Sequence, residues 1–329
     1  MSFLAVLFAL LIEQLKPLPR DNAVHEQLVR WVRWTGQNFD AGKPHHAGVV
    51  WCVSVLLPTL AVTGVYLLIH HHSLLLALAF DVLLLYLTLG FRQFSHYFTD
   101  IREALERGDE AAARQHLGQW LHLDASELPR NELLRHVLEH ALLAAHRHVF
   151  GVFFWFVLLS ALGMGPAGAV LYRMAEFSSR FWAYRHRTLD APVNETALAL
   201  SRRAFMLIDH VPARLTAAGF AVVGNFEEAV AGWRRDAAMW LHPNEGVILA
   251  AAAGAIGVQL GGTAAPGVTP DRAKAFSGPV DAGVVDAAGS TPGLPPQIGH
   301  LQAVVGLVWR SVVLWMLLLA LLSLANIVG

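Results

Sequence analysis

The chain has 329 residues, of which 55% are hydrophobic and 15% charged, a balance too apolar for an ordinary globular protein, so the bilayer is the expected solvent. Its 24 Lys and Arg nearly cancel its 25 Asp and Glu, so no global field recruits nucleic acid, which is not an expected partner. The single cysteine, Cys52, excludes an intramolecular disulfide and any cysteine-based metal cluster.

Ser2 to Leu15 is apolar but short, has no basic residues before it, and meets Glu13, Lys16 and Pro17 without a small-residue cleavage pattern. It reads as a retained interfacial or partly inserted helix opening an N-terminal segment over 1–46, not as a removed signal peptide. A first full-length span is expected from about Ala47 to Ile69 and a second from Ser73 to Phe91, interrupted by Asp81, giving a transmembrane hairpin over 47–91. Its tip is His70-His71-His72. Lys16, Arg20, Arg30, Arg33 and Lys43 precede the hairpin, and Arg92, Arg102, Arg107, Arg114, Arg130, Arg135 and Arg147 follow it. The positive-inside rule therefore puts both flanks in the cytoplasm and the histidines outside.

Residues 92–148 form a polar insert in which Asp100 to Gln119 has amphipathic helical spacing, broken at Gly108-Asp109, and they predict a cytoplasmic helical subdomain. A membrane-embedded core is expected over 149–262. Its first apolar run, Val149 to Tyr172, is long enough to cross but contains Gly163-Met164-Gly165-Pro166, and Arg173, Arg180, Arg185, Arg187, Arg202 and Arg203 follow it. Either a plain crossing or a re-entrant hairpin returning to the cytoplasm fits. Ala204 to Gly224 is apolar except for Asp209, His210 and Arg214, with Pro212 among them. Beyond Trp233-Arg234-Arg235-Asp236, a Gly/Ala-rich helix from Gly246 to Leu260 has small residues that let neighbouring helices approach closely. Residues 263–303 read as a flexible loop, and 304–329 as a last transmembrane helix in which Arg310 can snorkel. The fold class is all-α: a polytopic membrane helical bundle with interrupted or re-entrant helices and a cytoplasmic helical insert, its first partner the lipid bilayer.

An acid and a base five residues apart, Asp209 and Arg214, stand in an otherwise apolar run. Ionisable groups at membrane depth face a bundle interior or a wet cavity, so the two either form a structural ion pair across a proline-broken turn or line an anion pocket in which Arg214 supplies a guanidinium fork. Arg235 and Asp236, followed by His242-Pro243-Asn244, stand just before the Gly/Ala-rich helix, where Asn244 can act as N-cap and free N–H groups can receive an anion. His136-Val137-Leu138-Glu139-His140 has the H-x-x-E-H form of a zinc site, but a polar helix face packing at the membrane surface is the favoured reading and no third ligand is evident, so no metal ligand is assigned. Phe150, Phe153, Phe154, Trp155 and Phe156 read as lipid-facing or packing residues. No phosphate-binding loop, dinucleotide fingerprint, nucleophile elbow or kinase signature is present.

Asp209 followed by Val211-Pro212-Ala213-Arg214-Leu215-Thr216 resembles the aspartate and I-P-A-R-L-T segment of the CobD/CbiB family, the adenosylcobinamide-phosphate synthases of cobalamin biosynthesis. Arg235-Asp236-Ala237, His242-Pro243-Asn244 and the run Ala253 to Gly262 are similar to the family's R-D-A, P-N and A-G-A-L-G-V-x-L-G-G series. Gly108-Asp109-Glu110 with Ala113-Arg114 resembles a family helix that begins G-D and continues to A-R. The resemblance implies a multi-pass protein of the bacterial inner membrane that joins adenosylcobyric acid to an aminopropanol or its phosphate, with ATP and Mg²⁺ as cofactors. It makes Asp209, Arg214, Arg235, Asp236, His242 and Asn244 candidates for binding a corrinoid or another anionic small molecule, and leaves the catalytic residues unassigned.

The chain departs from the family pattern where the family has E-N-T-S-D-G, since here Ala144-Ala145-His146-Arg147-His148 precede Phe153-Phe154-Trp155. It departs again at the family's N-T-L-D, here Glu176-Phe177-Ser178-Ser179. If those acids hold Mg²⁺, arginine and histidine cannot replace them, which implies a catalytically degenerate member. This pattern and the start Ser2 to Glu13 are similar to AmpE, which gives the alternative of a non-enzymatic membrane sensor or modulator of β-lactamase induction.

Overall fold

The computed structural model describes residues 2–16, 23–39, 44–121, 124–188, 194–262 and 290–328. Arg20 and Lys43 of the expected basic flank, and residues 263–289 of the expected loop, lie outside them. Among the described residues the protein is an all-α membrane bundle with two isolated β-bridges and no strand. Its helices are α1 (Ser2–Leu15), α2 (Ala23–Phe39), α3 (Pro44–Trp51), α4 (Leu57–His72), α5 (Leu74–Thr88), α6 (Phe91–Glu106), α7 (Glu110–Leu121), α8 (Arg130–Ala145), α9 (Gly151–Ala161), α10 (Ala167–Thr188), α11 (Glu195–Ile208), α12 (His210–Val223), α13 (Phe226–Asp236), α14 (Pro243–Ile256) and α15 (Ile298–Val328). By length and composition three helical stretches among the described residues can cross a bilayer: His46–His72, Arg130–Ala161 and Ile298–Ala325. A fourth appears if α11 and α12, bent by 45° at Asp209, count as one span. The span expected from Ser73 to Phe91 is shorter than the sequence suggests. Leu89 takes an extended conformation and ends α5 at Thr88, so its 15 residues reach only about 22 Å against a hydrocarbon core of about 30 Å.

The chain divides into two compact units, residues 1–93, 147–212 and 318–329 forming the first and residues 94–146 and 213–317 the second. In the first unit, α3 runs into α4 through a π turn at Cys52–Leu56. Pro58 supplies the cause: it has no N–H to give to the Ser54 carbonyl, and its ring crowds the preceding turn. The Trp31 indole of α2 donates to that Ser54 carbonyl at 3.2 Å, and Thr35 bonds the Ser54 hydroxyl at 2.7 Å. The Gly163–Pro166 interruption makes a tight turn, with Gly163 and Gly165 at φ 80° and 55°, and α9 packs against α10 as a helical hairpin. The approach is close enough that a Cβ on Gly168 would lie 1.8 Å from the Trp155 carbonyl oxygen.

In the second unit, α6 ends where Gly108 turns to φ 78°, and Asp109 starts α7 by accepting from the Ala112 N–H at 2.9 Å. Both helices bury one face, Phe98, Ile101 and Leu105 on α6 and Ala113, Leu117 and Trp120 on α7, as their spacing predicts. The Gly/Ala-rich helix α14 starts at Pro243, earlier than expected, and lies against α13 and the turn Ala237–Met239. Gly232, Gly246 and Gly254 have Cβ positions 2.8, 2.5 and 2.2 Å from facing backbone carbonyl oxygens, so the small residues do permit close helix contact. Gly257 in the left-handed conformation ends α14, and two bridges, Val258 with Leu294 and Gly261 with Ser290, join the residues that follow α14 to those that precede α15.

Candidate functional site

Of the six residues expected to bind a ligand, the structure places Arg214, Arg235, Asp236, His242 and Asn244 in the second unit and Asp209 in the first. Arg214, on the early part of α12, donates through Nη1 to Oδ1 of the buried Asn244 at 3.2 Å. Asn244 is not the N-cap of α14, as the sequence suggests. His242 holds that position without a side-chain cap bond and Pro243 follows it, leaving the Asn244 side chain for Arg214. Arg235 grips Asp236 with both ends of its guanidinium, Nε to Oδ1 at 2.8 Å and Nη2 to Oδ2 at 2.9 Å. Asp236 is buried while the Arg235 side chain is 54% exposed, and the carboxylate raises the Arg235 pKa above its ordinary value. His242 is exposed.

Two contacts that the sequence does not announce support this group within the second unit. His146 Nδ1 meets the Thr216 hydroxyl at 2.9 Å, joining the end of α8 to the segment that carries Arg214. Glu139, 1% exposed, accepts from the Gly261 N–H at 2.7 Å and faces Arg135 at 3.8 Å. Glu139 therefore anchors the chain after α14. His140 packs edge-on against Trp120 with ring centroids 4.5 Å apart. No group of three His, Cys, Asp or Glu side chains converges among the described residues.

In the first unit, Asp209 is the break between α11 and α12. Pro212 falls in the first turn of α12, where a missing N–H is tolerated, so it is not the breaking residue. The buried Tyr172 hydroxyl donates to Asp209 Oδ1 at 2.8 Å, and the Trp155 indole donates to the Ile208 carbonyl at 3.0 Å. That carbonyl is one of those a helix C-terminus leaves unsatisfied, so the α9–α10 hairpin caps the end of α11.

A hard divalent cation needs several oxygen ligands. The segment Ala144–His148 offers Arg147 and histidines, and at 176–179 the carboxylate of Glu176 is fully buried between Arg173 and Arg180. This donor set does not fit Mg²⁺.

A family model described as CobD/Cbib protein matches residues 2–273. The chain is 31% identical over 323 residues to a protein of Stutzerimonas stutzeri named Cobalamin biosynthesis protein CobD, covering 96% of each. It is 35% identical over 193 residues, 58% of each chain, to a Chromobacterium violaceum protein of the same name. A Leptospira interrogans protein of that name is 24% identical over 225 residues, 65% of each. No solved structure matches the chain.

Proposed function

Because this chain belongs to the CobD/CbiB family, we propose that it acts in cobalamin biosynthesis as a multi-pass inner-membrane protein. In the finer reading it forms the amide bond between adenosylcobyric acid and an aminopropanol or its phosphate. The observation that carries this reading is the likeness, along nearly the whole chain, to a relative named for cobalamin biosynthesis. Two features support an anionic substrate: Arg214 presents a guanidinium whose position is set by Asn244 at the start of α14, and a paired Arg235 and Asp236 end α13. A guanidinium fork suits a carboxylate or phosphate, and ATP supplies the phosphoryl group that turns a carboxylate oxygen into a leaving group.

The test is complementation of a strain lacking its cobinamide-phosphate synthase under cobalamin-limiting conditions. Growth restored by the wild-type chain and lost with Arg214→Ala at equal membrane level is the expected result. Failure of the wild-type chain at normal membrane level removes the amide-forming activity. One observation favours the second reading, a non-enzymatic modulator similar to AmpE: Arg147 and His148 stand buried where the family pattern has acids. In that case deletion of the gene changes β-lactam response while corrinoid synthesis continues.

A further inference from the structure

We infer that the outward face of α2, carrying Arg30, Arg33 and Trp34, docks on anionic phospholipids, so that this helix of the first unit lies in the plane of the headgroups. The helix has two opposite faces. Inward, Val32 and Thr35 are fully buried, the Thr35 hydroxyl bonds that of Ser54 at 2.7 Å, and the Trp31 indole donates to the Ser54 carbonyl at 3.2 Å. A Cβ on Gly36 would overlap the Trp182 ring, so α2 is held close against α10 as well. Outward, Glu26, Arg30, Arg33, Trp34 and Gln37 are all exposed. At about 100° per residue these five fall within an arc of about 100°, on the other side of the helix from Val32 and Thr35.

Ser54 sets the level of this helix. The span His46–His72 has 27 residues and is about 40 Å long, about 10 Å more than a hydrocarbon core, so its ends stand among the headgroups and Ser54, about 12 Å from the start, lies near the boundary. Val49 and Cys52, in the same stretch, are exposed as lipid-facing residues are. Trp34, 45% exposed, stacks on Trp31 with ring centroids 5.3 Å apart and meets Phe39 edge-on at 5.6 Å, a fixed aromatic anchor of the kind found at headgroup level. Among the described residues Arg33 has no hydrogen bond or ion pair, and Arg30 meets Glu26 at 3.8 Å with the two side chains 63% and 67% exposed. Two cations against one carboxylate leave the face net positive, on the side of the membrane where Lys and Arg gather. It is an open helix surface, too flat to surround a soluble anion, whereas a bilayer offers an apolar edge for Trp34 and a plane of phosphates for the guanidiniums. Zwitterionic headgroups cancel their phosphate with their own ammonium, so net negative ones are preferred.

The inference rests on the membrane fold and not on amide formation, so its test needs no corrinoid. Gln37→Cys in a Cys52→Ser background gives a full chain with a single cysteine, which carries a fluorophore on this face in nanodiscs of phosphatidylcholine and phosphatidylglycerol. Lipids bearing a nitroxide near the headgroup should quench the dye more strongly than lipids bearing it deep in the acyl chain. Energy transfer from the dye to acyl-labelled phosphatidylglycerol, compared with acyl-labelled phosphatidylcholine, then reads the lipid preference around α2. Arg30→Gln and Arg33→Gln should each lower that preference about fivefold, Arg33→Lys should keep most of it, and Glu26→Gln should raise it. High salt should weaken it, because exposed charges are screened. Quenching by aqueous iodide with none by either lipid label puts the face in water or on another protein and overturns the inference. A phosphatidylglycerol preference that the folded Arg30→Gln, Arg33→Gln double variant leaves unchanged overturns it as well.

Discussion

Replacing Gly246 with alanine tests whether the α14 N-terminus is as tightly seated as the structure shows. A Cβ there would stand 2.5 Å from the Ala237 carbonyl oxygen and 2.7 Å from Trp240 Cβ, whereas ordinary contact begins at 3.4 Å, so helix and turn must part by about 0.9 Å. Two residues away, Asn244 holds Arg214 at 3.2 Å, a bond that cannot lengthen far before it is lost. Overpacking costs about 1–3 kcal/mol and a lost charge-assisted hydrogen bond about 1.5 kcal/mol for a half-buried arginine, while alanine favours the helix over glycine by about 1 kcal/mol. The balance is a net loss of about 1.5–3.5 kcal/mol. Thermal unfolding in detergent, followed by tryptophan fluorescence, should show Gly246→Ala below wild type. The control Gly306→Ala, with nothing within 4 Å of its Cβ, should be neutral or slightly more stable. If Gly246→Ala melts at or above wild type, propensity outweighs packing and the seating of Asn244 is looser than argued.

Three further outcomes are expected from the same melting assay. Tyr172→Phe removes the donor to buried Asp209 and should destabilise by about 1–3 kcal/mol, with a smaller loss in the Asp209→Ala background if the two are coupled. Glu139→Ala strands the buried Arg135 and frees the Gly261 N–H, and should cost about 3–5 kcal/mol; a loss below about 1 kcal/mol would mean Glu132 alone satisfies Arg135. Trp31→Phe deletes the bond to the Ser54 carbonyl and should cost about 1 kcal/mol. That cost should shrink in Pro58→Ala, whose backbone N–H can serve the same oxygen.

Local rules made much of the fold readable from sequence. Gly108-Asp109 divides α6 from α7 because glycine takes the left-handed turn and aspartate caps the second helix, and the two-glycine, proline-ended stretch after Ala161 could not continue a helix. The small residues of α14 likewise announced close packing, although they could not say that Pro243 starts that helix and His242 stands at its cap. Partners separated by long stretches of chain were not readable. Nothing local says that Tyr172 bonds Asp209, or that Glu139 holds the Gly261 N–H, because both depend on how distant helices meet. Asp209 and Arg214 stood out as charges in an apolar run, and proximity in sequence suggested pairing. Asp209 accepts from Tyr172 and Arg214 donates to Asn244, partners 37 and 30 residues away that proximity in sequence does not name.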